Sequence, residues 1–402
     1  MPTDGPVPNL RFPEFRDAGP WEVKRLGDIA NVVRGGSPRP ISAYLTEDPT
    51  GLNWLQIGDL SDGGKYVLST GQKIKQSGLP STREVAPGNL ILSNSMSFGR
   101  PYIAQIPVCV HDGWLVIDND KNASLSEFLY YLLLSESSQK YMRDAAAGGG
   151  VRNLNADLVK LLPAPLPSLP EQQKIADCLS SLDDLIRAEG ARLGALKDHK
   201  RALMQRLFPR PGETTPRLRF PDFRDAGPWE VRRLGDFVDQ KSGNSSLIKG
   251  KLHAEPSADR YPGYSASGQD VWLDTYNYSR EAIIVSAVGA RCGRCFRAEG
   301  QWSAIANTHI LFPDLAKIDL DFLYEIVTRD GFWIISGSGQ PFVKVRDSLE
   351  QNVGLPSLPE QQKIADCLTA LDDLIRAQGE RIEALRSHKR GLMQQLFPLD
   401  FG

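Results

Sequence analysis

The sequence predicts an α+β protein in which two globular domains are joined by two long antiparallel coiled-coil helices, with an internal pseudo-two-fold repeat. Three observations carry this prediction. Two blocks of sequence occur twice, the second block has a heptad pattern, and the segments between blocks contain short β-rich runs separated by glycine turns. At 402 residues the chain is long enough for two domains with separate hydrophobic cores.

The repeats divide the chain into a constant scaffold and two variable segments. The block at 10–28 returns at 218–236 with two conservative changes. The block at 166–209 returns at 355–398, and both copies begin with LPSLPEQQKIADCL. The segments between the blocks differ in length by 19 residues and share almost no sequence. We therefore expect one repeated scaffold to hold two different heads.

Each copy of the second block is predicted to open a helix. Ser168 and Glu171 have the spacing of a capping box, Pro170 suits the first helical turn, and 357–360 repeats this pattern. Hydrophobic positions then recur in alternating steps of four and three residues until Pro209, which is typical of a coiled coil about 50 Å long. The predicted seam consists of Ile175, Leu179, Leu182, Ile186, Glu189, Leu193, Leu196, Lys200, Leu203 and Leu207, and of Ile364, Leu368, Leu371, Ile375, Gln378, Ile382, Leu385, Lys389, Leu392 and Leu396.

Polar seam residues favour an antiparallel pair. A parallel, in-register pair would place Lys200 against Lys389, which costs electrostatic energy. One antiparallel register instead places Glu189 against Lys389, and it also places Lys200 against Gln378. This register would put the two heads at opposite ends of a rod. The alternative is two independent helices, each packed on its own head.

The two heads are predicted to be compact α+β domains with polar and basic side chains at their turns. Arginine, asparagine and serine are residue types that contact base edges or phosphates, although they also cover many ordinary protein surfaces. The candidates for DNA contact in the first head are Arg34, Ser37, Arg39, Asn94, Ser95, Ser97 and Arg100. Those in the second head are Tyr264, Ser265, Ser267, Arg291, Arg294 and Asn307.

Bulk composition sets limits on location and charge. No run approaches the roughly 18 apolar residues of a membrane span, the N-terminus lacks the pattern of a signal peptide, and five cysteines suggest a reducing compartment, so a cytoplasmic location is expected. The net charge is −2. Residues 1–165 carry 16 basic and 17 acidic side chains, and 210–354 carry 18 and 19, so any basic surface must be local.

No catalytic motif is evident. The stretch GNSSLIKGKL at 243–252 has the wrong spacing for a phosphate-binding loop, and no methyltransferase motif or histidine cluster is present. Cys292 and Cys295 form a lone Cys-x-x-Cys, which predicts two ordinary thiols in a turn rather than a metal site. A nuclease that uses Asp59, Asp62 and Asp112 is a further alternative. We expect no metal and no cofactor on this chain.

The repeated motifs resemble those of a known family. An N-terminal RFPEFRDAGPWEVKRLGD, a GGSP loop, and Leu-Pro-x-Leu-x-Glu-Gln helix openings at 166–172 and 355–361 resemble the specificity subunit of type I restriction–modification systems. The runs GYSASG at 263–268 and VGARCG at 288–293 also resemble parts of that family's second recognition domain. The resemblance covers essentially the full chain.

The resemblance implies a non-catalytic DNA-binding subunit. Each head would be a target recognition domain for one half of a bipartite, asymmetric site on double-stranded DNA. The helices would set the spacing and dock two modification subunits, which use S-adenosylmethionine, and two restriction subunits would use ATP and Mg²⁺. The implied domains are recognition domain 1 at 1–165, helix 1 at 166–209, recognition domain 2 at 210–354 and helix 2 at 355–402.

A second interpretation belongs to another functional class. The chain could be a two-headed protein-binding adaptor without a role on DNA, and the neutral charge of both heads agrees with that interpretation. Salt-dependent affinity for DNA distinguishes the two, since neutralising phosphates releases counterions.

Overall fold

The computed structural model describes residues 5–60, 63–94, 98–146, 154–337 and 339–398. The chain forms two compact units: unit 1 is Met1–Gly190 with Arg381–Gly402, and unit 2 is Ala191–Glu380. Both boundaries fall inside long helices, so each unit contains a head together with parts of both helices. Within the described residues, no helix is long and apolar enough to cross a membrane.

Unit 1 contains two five-stranded sheets and a two-stranded sheet. The strand orders are β2-β11-β8-β9-β5, β3-β6-β4-β10-β7 and β1-β12. Strands β8 and β9 are buried at every position, as expected for strands covered on both faces. The strands are β1 Glu22–Arg25, β2 Ala30–Arg34, β3 Leu45–Thr46, β4 Leu52–Leu55, β5 Tyr66–Val67, β6 Gln72–Ile74, β7 Arg83–Val85, β8 Leu90–Ser93, β9 Pro101–Ala104, β10 Val108–Val110, β11 Trp114–Asn119 and β12 Pro163–Leu166.

The helices of unit 1 pack on the first of these sheets. Helix α2 presents Phe128, Leu129 and Leu132 to a core that also contains Ile117 of β11. The same core includes Phe397, which follows the second long helix. The helices are α1 Leu26–Ile29, α2 Ser126–Leu134, α3 Glu136–Ala146, α4 Ala156–Lys160 and the long α5 Leu169–Leu207, of which 169–190 belongs to unit 1.

Unit 2 contains smaller sheets with the same kind of anchoring strand pair. The strand orders are β14-β20-β17-β18, β16-β15-β19 and β13-β21. The pair β13-β21 joins the start and end of the head, as β1-β12 does in unit 1. The strands are β13 Glu230–Arg233, β14 Val238–Ser242, β15 Tyr261–Ser265, β16 Gly268–Leu273, β17 Ala282–Ser286, β18 Cys295–Ala298, β19 Ser303–Ala304, β20 Thr308–Pro313 and β21 Asn352–Leu355.

One head helix in unit 2 corresponds to α2. Helix α6, Leu320–Val327, begins at Asp319, whose side chain accepts a hydrogen bond from the Phe322 backbone N–H at 2.9 Å. This is a normal N-cap. Its buried face shares a core with Leu207 and Leu368 from the two long helices. The remaining helices are α7 Val345–Leu349 and the long α8 Leu358–Leu396. The α+β class predicted for the heads is therefore confirmed.

The first repeated block clamps the start of each long helix. In unit 1 the Arg11 guanidinium donates to both carboxylate oxygens of Glu171 at 2.8 and 2.6 Å. In unit 2 Arg219 binds Glu360 in the same way, at 2.8 Å for both bonds. We expected Glu171 to complete a capping box, but its carboxylate instead binds Arg11. A bidentate arginine is the stronger partner, because charged hydrogen bonds in a fixed fork exceed one bond to a backbone N–H.

The neighbouring glutamine ties each long helix to its head. Gln172 accepts from the Leu125 N–H at 2.9 Å and donates to the Ala123 carbonyl at 3.1 Å, just before α2. Gln361 makes the equivalent bonds with the Asp319 N–H and a carbonyl on the loop before α6. The Glu-Gln pair in LPSLPEQQ thus connects the helix to two separate parts of its unit.

Within unit 1, α5 and α8 run antiparallel, as predicted. Lys389 Nζ donates to Asp183 Oδ1 at 2.5 Å, and Arg381 Nε lies 2.8 Å from Glu189 Oε1. The partners of Asp183 and Glu189 on α8 are Lys389 and Arg381, so the residue numbers rise along α5 while they fall along α8. Every predicted seam residue of both units is buried or half-buried.

The register predicted from the seam is nevertheless wrong. Lys389 binds Asp183 rather than facing Glu189, and in unit 2 Lys200 binds Asp372 at 2.7 Å rather than facing Gln378. Each lysine partner thus lies six residues earlier than predicted. A heptad seam looks nearly the same after a shift of about one heptad, so seam matching leaves the register open. The aspartates beside the seam decide it, because each neutralises a lysine that is mostly buried.

Candidate nucleic-acid interface

Four candidate side chains of unit 1 converge on one loop, residues 111–113. Arg34 Nε and Asn94 Nδ2 both donate to the Asp112 carbonyl at 2.9 Å. Ser37 Oγ donates to the Asp112 carboxylate at 3.2 Å, and an Arg39 nitrogen lies 3.6 Å from the same carboxylate. The sequence separates these residues by up to about 80 positions, and β2, β8 and β11 bring them together.

Close backbone packing explains the first glycine of the GGSP loop. The Gly35 N–H donates to the Trp114 carbonyl at 2.8 Å, and a Cβ on Gly35 would lie 2.1 Å from the His111 carbonyl oxygen. Only glycine fits such an approach. The GGSP loop is thereby held against the 111–113 loop, and Arg39 projects from it with 82% of its side chain exposed.

The candidates of unit 1 differ in accessibility. Asn94 is 1% exposed, so its role in this conformation is to hold the loop. Arg100 is half-buried and its guanidinium lies 5.5 Å from the Tyr102 ring centroid. Ser95 and Ser97 lie outside the described residues. Arg34 and Arg39 are therefore the exposed basic candidates at the loop.

In unit 2 the candidates lie on two neighbouring features. Arg291 and Arg294 are exposed in the turn between β17 and β18, and the Asn307 carbonyl accepts from the Ala287 N–H at 2.9 Å at the end of β17. Asn307 adopts a φ of 66°, a left-handed conformation that asparagine tolerates. These three residues are therefore brought together at one end of the β17 hairpin.

The β15–β16 hairpin carries the other candidates of unit 2. Ser267 is exposed and its N–H donates to Ser265 Oγ at 3.0 Å, whereas Tyr264 and Ser265 are buried. Tyr264 packs edge-on against Trp302, with ring centroids 5.9 Å apart, and burial raises its pKa. Tyr264 and Ser265 therefore support the hairpin, and Ser267 is its exposed candidate.

Sequence reasoning missed a cleft next to the 111–113 loop. The cleft has a volume of about 510 Å³ and is lined by Ser37 and Arg39 together with Trp54, Gln56 and His111. Burial lowers the pKa of His111, which favours its neutral form. No local signal marked the Gln56 side chain, because its side-chain partner Gln72 lies on another strand.

The carboxylates of the nuclease alternative have structural partners. Asp59 accepts from the backbone N–H groups of Gln56 and Gly71, and the Asp112 carboxylate accepts from Ser37 Oγ. Asp62 lies outside the described residues. Among the residues that the structure describes, no group of three or more His, Cys, Asp or Glu side chains could hold a metal ion.

The two cysteines of the Cys-x-x-Cys are free thiols. Cys295 is buried, and this burial raises its pKa to about 12. A thiol with so high a pKa has almost no thiolate at neutral pH, which disfavours redox reactivity.

Known proteins show the same organisation. The family model for the type I restriction modification DNA specificity domain matches residues 19–197 and 227–386, one match in each half. The MjaIX specificity subunit from Methanocaldococcus jannaschii is 24% identical over 407 residues, which cover 94% of this chain and 92% of the relative. The MjaVIII specificity subunit from the same organism is 23% identical, with 96% and 93% covered.

Solved structures share the fold. The S subunit of a type I restriction–modification system from M. genitalium superposes with a TM-score of 0.62 at 17% identity, covering 98% of this chain and 99% of its own. A chain from work on complex assembly and conformational transition of the type I R-M system gives a TM-score of 0.55 at 19% identity, covering 94% and 97%. Because the family model matches most of both halves, this chain belongs to the type I restriction–modification DNA specificity subunits.

Proposed function

We propose that this chain is the sequence-specific DNA-binding subunit of a type I restriction–modification complex, and that each unit reads one half of a bipartite, asymmetric site. The observation that carries the proposal is the convergence of Arg34, Ser37, Arg39 and Asn94 on the 111–113 loop. As a specificity subunit, the chain has no catalytic activity of its own.

The chemistry of the two loop clusters suits nucleic acid. Exposed arginines can bind phosphates or the edge of guanine, whereas serine and asparagine can contact either bases or phosphates. Within the described residues, Arg39 is held by a 3.6 Å ion pair at an exposed site, so its guanidinium can move to a phosphate at small cost. In unit 2, Arg291 and Arg294 offer the same chemistry on a different backbone. Two dissimilar clusters favour two different half-sites.

The long helices are proposed to set the spacing and to dock the modification subunits. Each helix has 39 residues, which corresponds to about 58 Å at 1.5 Å per residue. Two turns of B-DNA are about 70 Å long, so helices of this length suit two half-sites separated by a turn or so of duplex. Two modification subunits would supply S-adenosylmethionine-dependent methylation, and two restriction subunits would use ATP and Mg²⁺.

A salt titration tests the DNA-binding role. Random-sequence duplex is bound at several salt concentrations by the full chain, with and without its modification subunits. A DNA reader is expected to lose affinity linearly in log salt, because bound phosphates release counterions. Binding that is absent or insensitive to salt even in the complex would favour the adaptor interpretation and contradict the proposal.

Arginine variants locate the contacts. Arg34→Ala and Arg291→Ala are each expected to weaken DNA binding by about tenfold or more, with little change in thermal stability, because both side chains are exposed. Arg16→Ala, an exposed arginine in the repeated N-terminal block, is the control and should bind as the wild type does. If these variants lose thermal stability but bind DNA as the wild type does, the assignments are contradicted.

A further inference from the structure

Two exposed glutamines pair at the cleft beside the 111–113 loop. Gln56 follows β4 and Gln72 begins β6, two strands that pair with each other. Gln56 Nε2 donates to Gln72 Oε1 at 2.6 Å, although both side chains are exposed. An exposed side-chain pair of this kind loses rotamer entropy without a gain from burial. The pair therefore suggests a role beyond stability.

The backbone on both sides of this pair is held by one carboxylate. Asp59 Oδ2 accepts from the Gln56 N–H at 2.8 Å, and its Oδ1 accepts from the Gly71 N–H at 2.9 Å. The turn after β4 and the turn before β6 are thus tied to the same side chain. The Gln56 backbone is consequently held by Asp59, and its side chain is held by Gln72, which reduces the entropy lost on binding.

The cleft places Gln56 next to the basic side of the interface. Ser37 and Arg39 line one part of the 510 Å³ cleft, and Trp54 and His111 line another, with ring centroids 6.1 Å apart. The Arg39 side chain is 82% exposed, so a phosphate bound there would bring neighbouring base edges toward the cleft. The apolar part of Trp54 would exclude water from that contact.

We propose that Gln56 is a specificity-determining residue that reads an adenine in the half-site bound by unit 1; this inference rests on the proposed function. The bond to Gln72 uses one Nε2 hydrogen, and within the described part of the chain the second hydrogen and Oε1 are available. These two groups match adenine, because Nε2–H can donate to N7 while Oε1 accepts from N6–H. Gln72 and Asp59 act as positioning residues.

Selection from a duplex library tests the proposal. The full chain in complex with its modification subunits binds duplexes of random sequence, and the bound fraction is sequenced. Gln56→Ala is expected to relax the preference at one adenine of one half-site by about tenfold to a hundredfold, and to leave the other half unchanged. Gln56→Glu, which can only accept, should move the preference at that base pair toward cytosine.

A matched variant and the other possible outcomes complete the design. Gln76→Ala removes another exposed glutamine of the same unit, whose only side-chain bond in the described structure is 3.5 Å to the Thr50 carbonyl, and it should keep the wild-type motif. An unchanged motif for Gln56→Ala, or a uniform loss of affinity for all sequences, overturns the inference. A wild-type complex that selects no motif would instead refute the proposed function.

Discussion

The two units attach their head helix to the long helices through different chemistry at one equivalent position. The run FLYY at 128–131 aligns with FLYE at 322–325, so Tyr131 corresponds to Glu325. Tyr131 donates its hydroxyl hydrogen to Asp183 Oδ2 at 2.7 Å, whereas Glu325 accepts from Lys200 Nζ at 3.2 Å. Both side chains contact an equivalent lysine–aspartate pair of the long helices, Asp183 with Lys389 in unit 1 and Asp372 with Lys200 in unit 2. The scaffold is constant, and the head contact on it is free to vary.

A second substitution accompanies this change. Glu325 is fully buried, and its desolvation raises its pKa. Four residues later in the chain stands Arg329, where unit 1 has Ser135. Burial lowers the pKa of Arg329 to about 10, and the charge of Glu325 opposes that lowering. Unit 1 has a neutral tyrosine at the position of Glu325 and a serine at the position of Arg329, so the buried carboxylate and the buried guanidinium occur together in one head.

Each head also places a cation next to its head helix, and the two cations come from different strand regions. Lys65, just before β5, donates to Ser180 Oγ at 2.8 Å and lies 4.5 Å from the Tyr131 ring centroid. Arg297 of β18 lies 2.7 Å from the Asp321 carboxylate and 4.0 Å from the Tyr324 ring centroid. Equivalent chemistry thus arises from non-equivalent parts of the two folds.

The largest expected loss of stability concerns the buried arginine–glutamate pair that both units share. Arg11→Met and Arg219→Met each remove one partner of a buried ion pair, whose side chains are at most 8% exposed. Leaving Glu171 or Glu360 uncompensated should lower the free energy of unfolding of its unit by about 3–5 kcal/mol. Denaturant unfolding, followed by hydrogen exchange in each unit, measures both losses. A clear inequality between them would show that the heads, rather than the repeat, set the strength of the clamp.

Much of the scaffold could be predicted from the sequence because repetition and heptad spacing are local signals. They predicted the two α+β heads, the two long helices and the antiparallel direction of these helices. They did not predict the register, because Asp183 and Asp372 lie beside the seam and gain their importance only from a lysine on the other helix. Likewise, Glu171 resembles a capping residue until Arg11, 160 residues away, is placed beside it.

The candidate interface was predicted in part. Glycine turns with arginine and serine marked the loop at Ser37, and the structure brings Arg34 and Asn94 to the same place. The pair of Gln56 and Gln72 was not foreseen, since neither residue stands in a motif and strand pairing alone brings them together. Which bases such residues contact depends on the conformation of the loops on DNA, which no spacing rule encodes.

An intermediate effect distinguishes the two anchors. Lys200→Met leaves fully buried Glu325 and its neighbour Asp372 without their shared cation, so unit 2 should lose about 3 kcal/mol. Lys389→Met should cost unit 1 only about 1–2 kcal/mol, because Asp183 keeps the Tyr131 hydroxyl and the nearby positive charge of Lys65. Unfolding of both variants, monitored by hydrogen exchange in each unit, gives the comparison. Equal losses would mean that residue 131 or 325 does not determine how much the lysine matters.

The smallest expected effect isolates the tyrosine of unit 1. Tyr131→Phe removes the hydroxyl bonded to Asp183 and should lower the free energy of unfolding by about 1 kcal/mol at neutral pH. Burial raises the pKa of Tyr131, so the folded state keeps its proton after the unfolded chain has released it near pH 10. Above that pH the unfolded state binds fewer protons, and the stability contributed by Tyr131 falls as pH rises.

The advantage of the wild type over Tyr131→Phe should therefore be constant up to about pH 9 and shrink as the pH passes about 10. Paired unfolding curves at increasing pH measure this difference and cancel the titration of every other group. Tyr141→Phe serves as the control at neutral pH, because its hydroxyl lies 3.5 Å from its carbonyl partner and contributes little. If the stability advantage of the wild type instead grows at alkaline pH, the folded state prefers the Tyr131 phenolate, paired with Lys65 and Lys389.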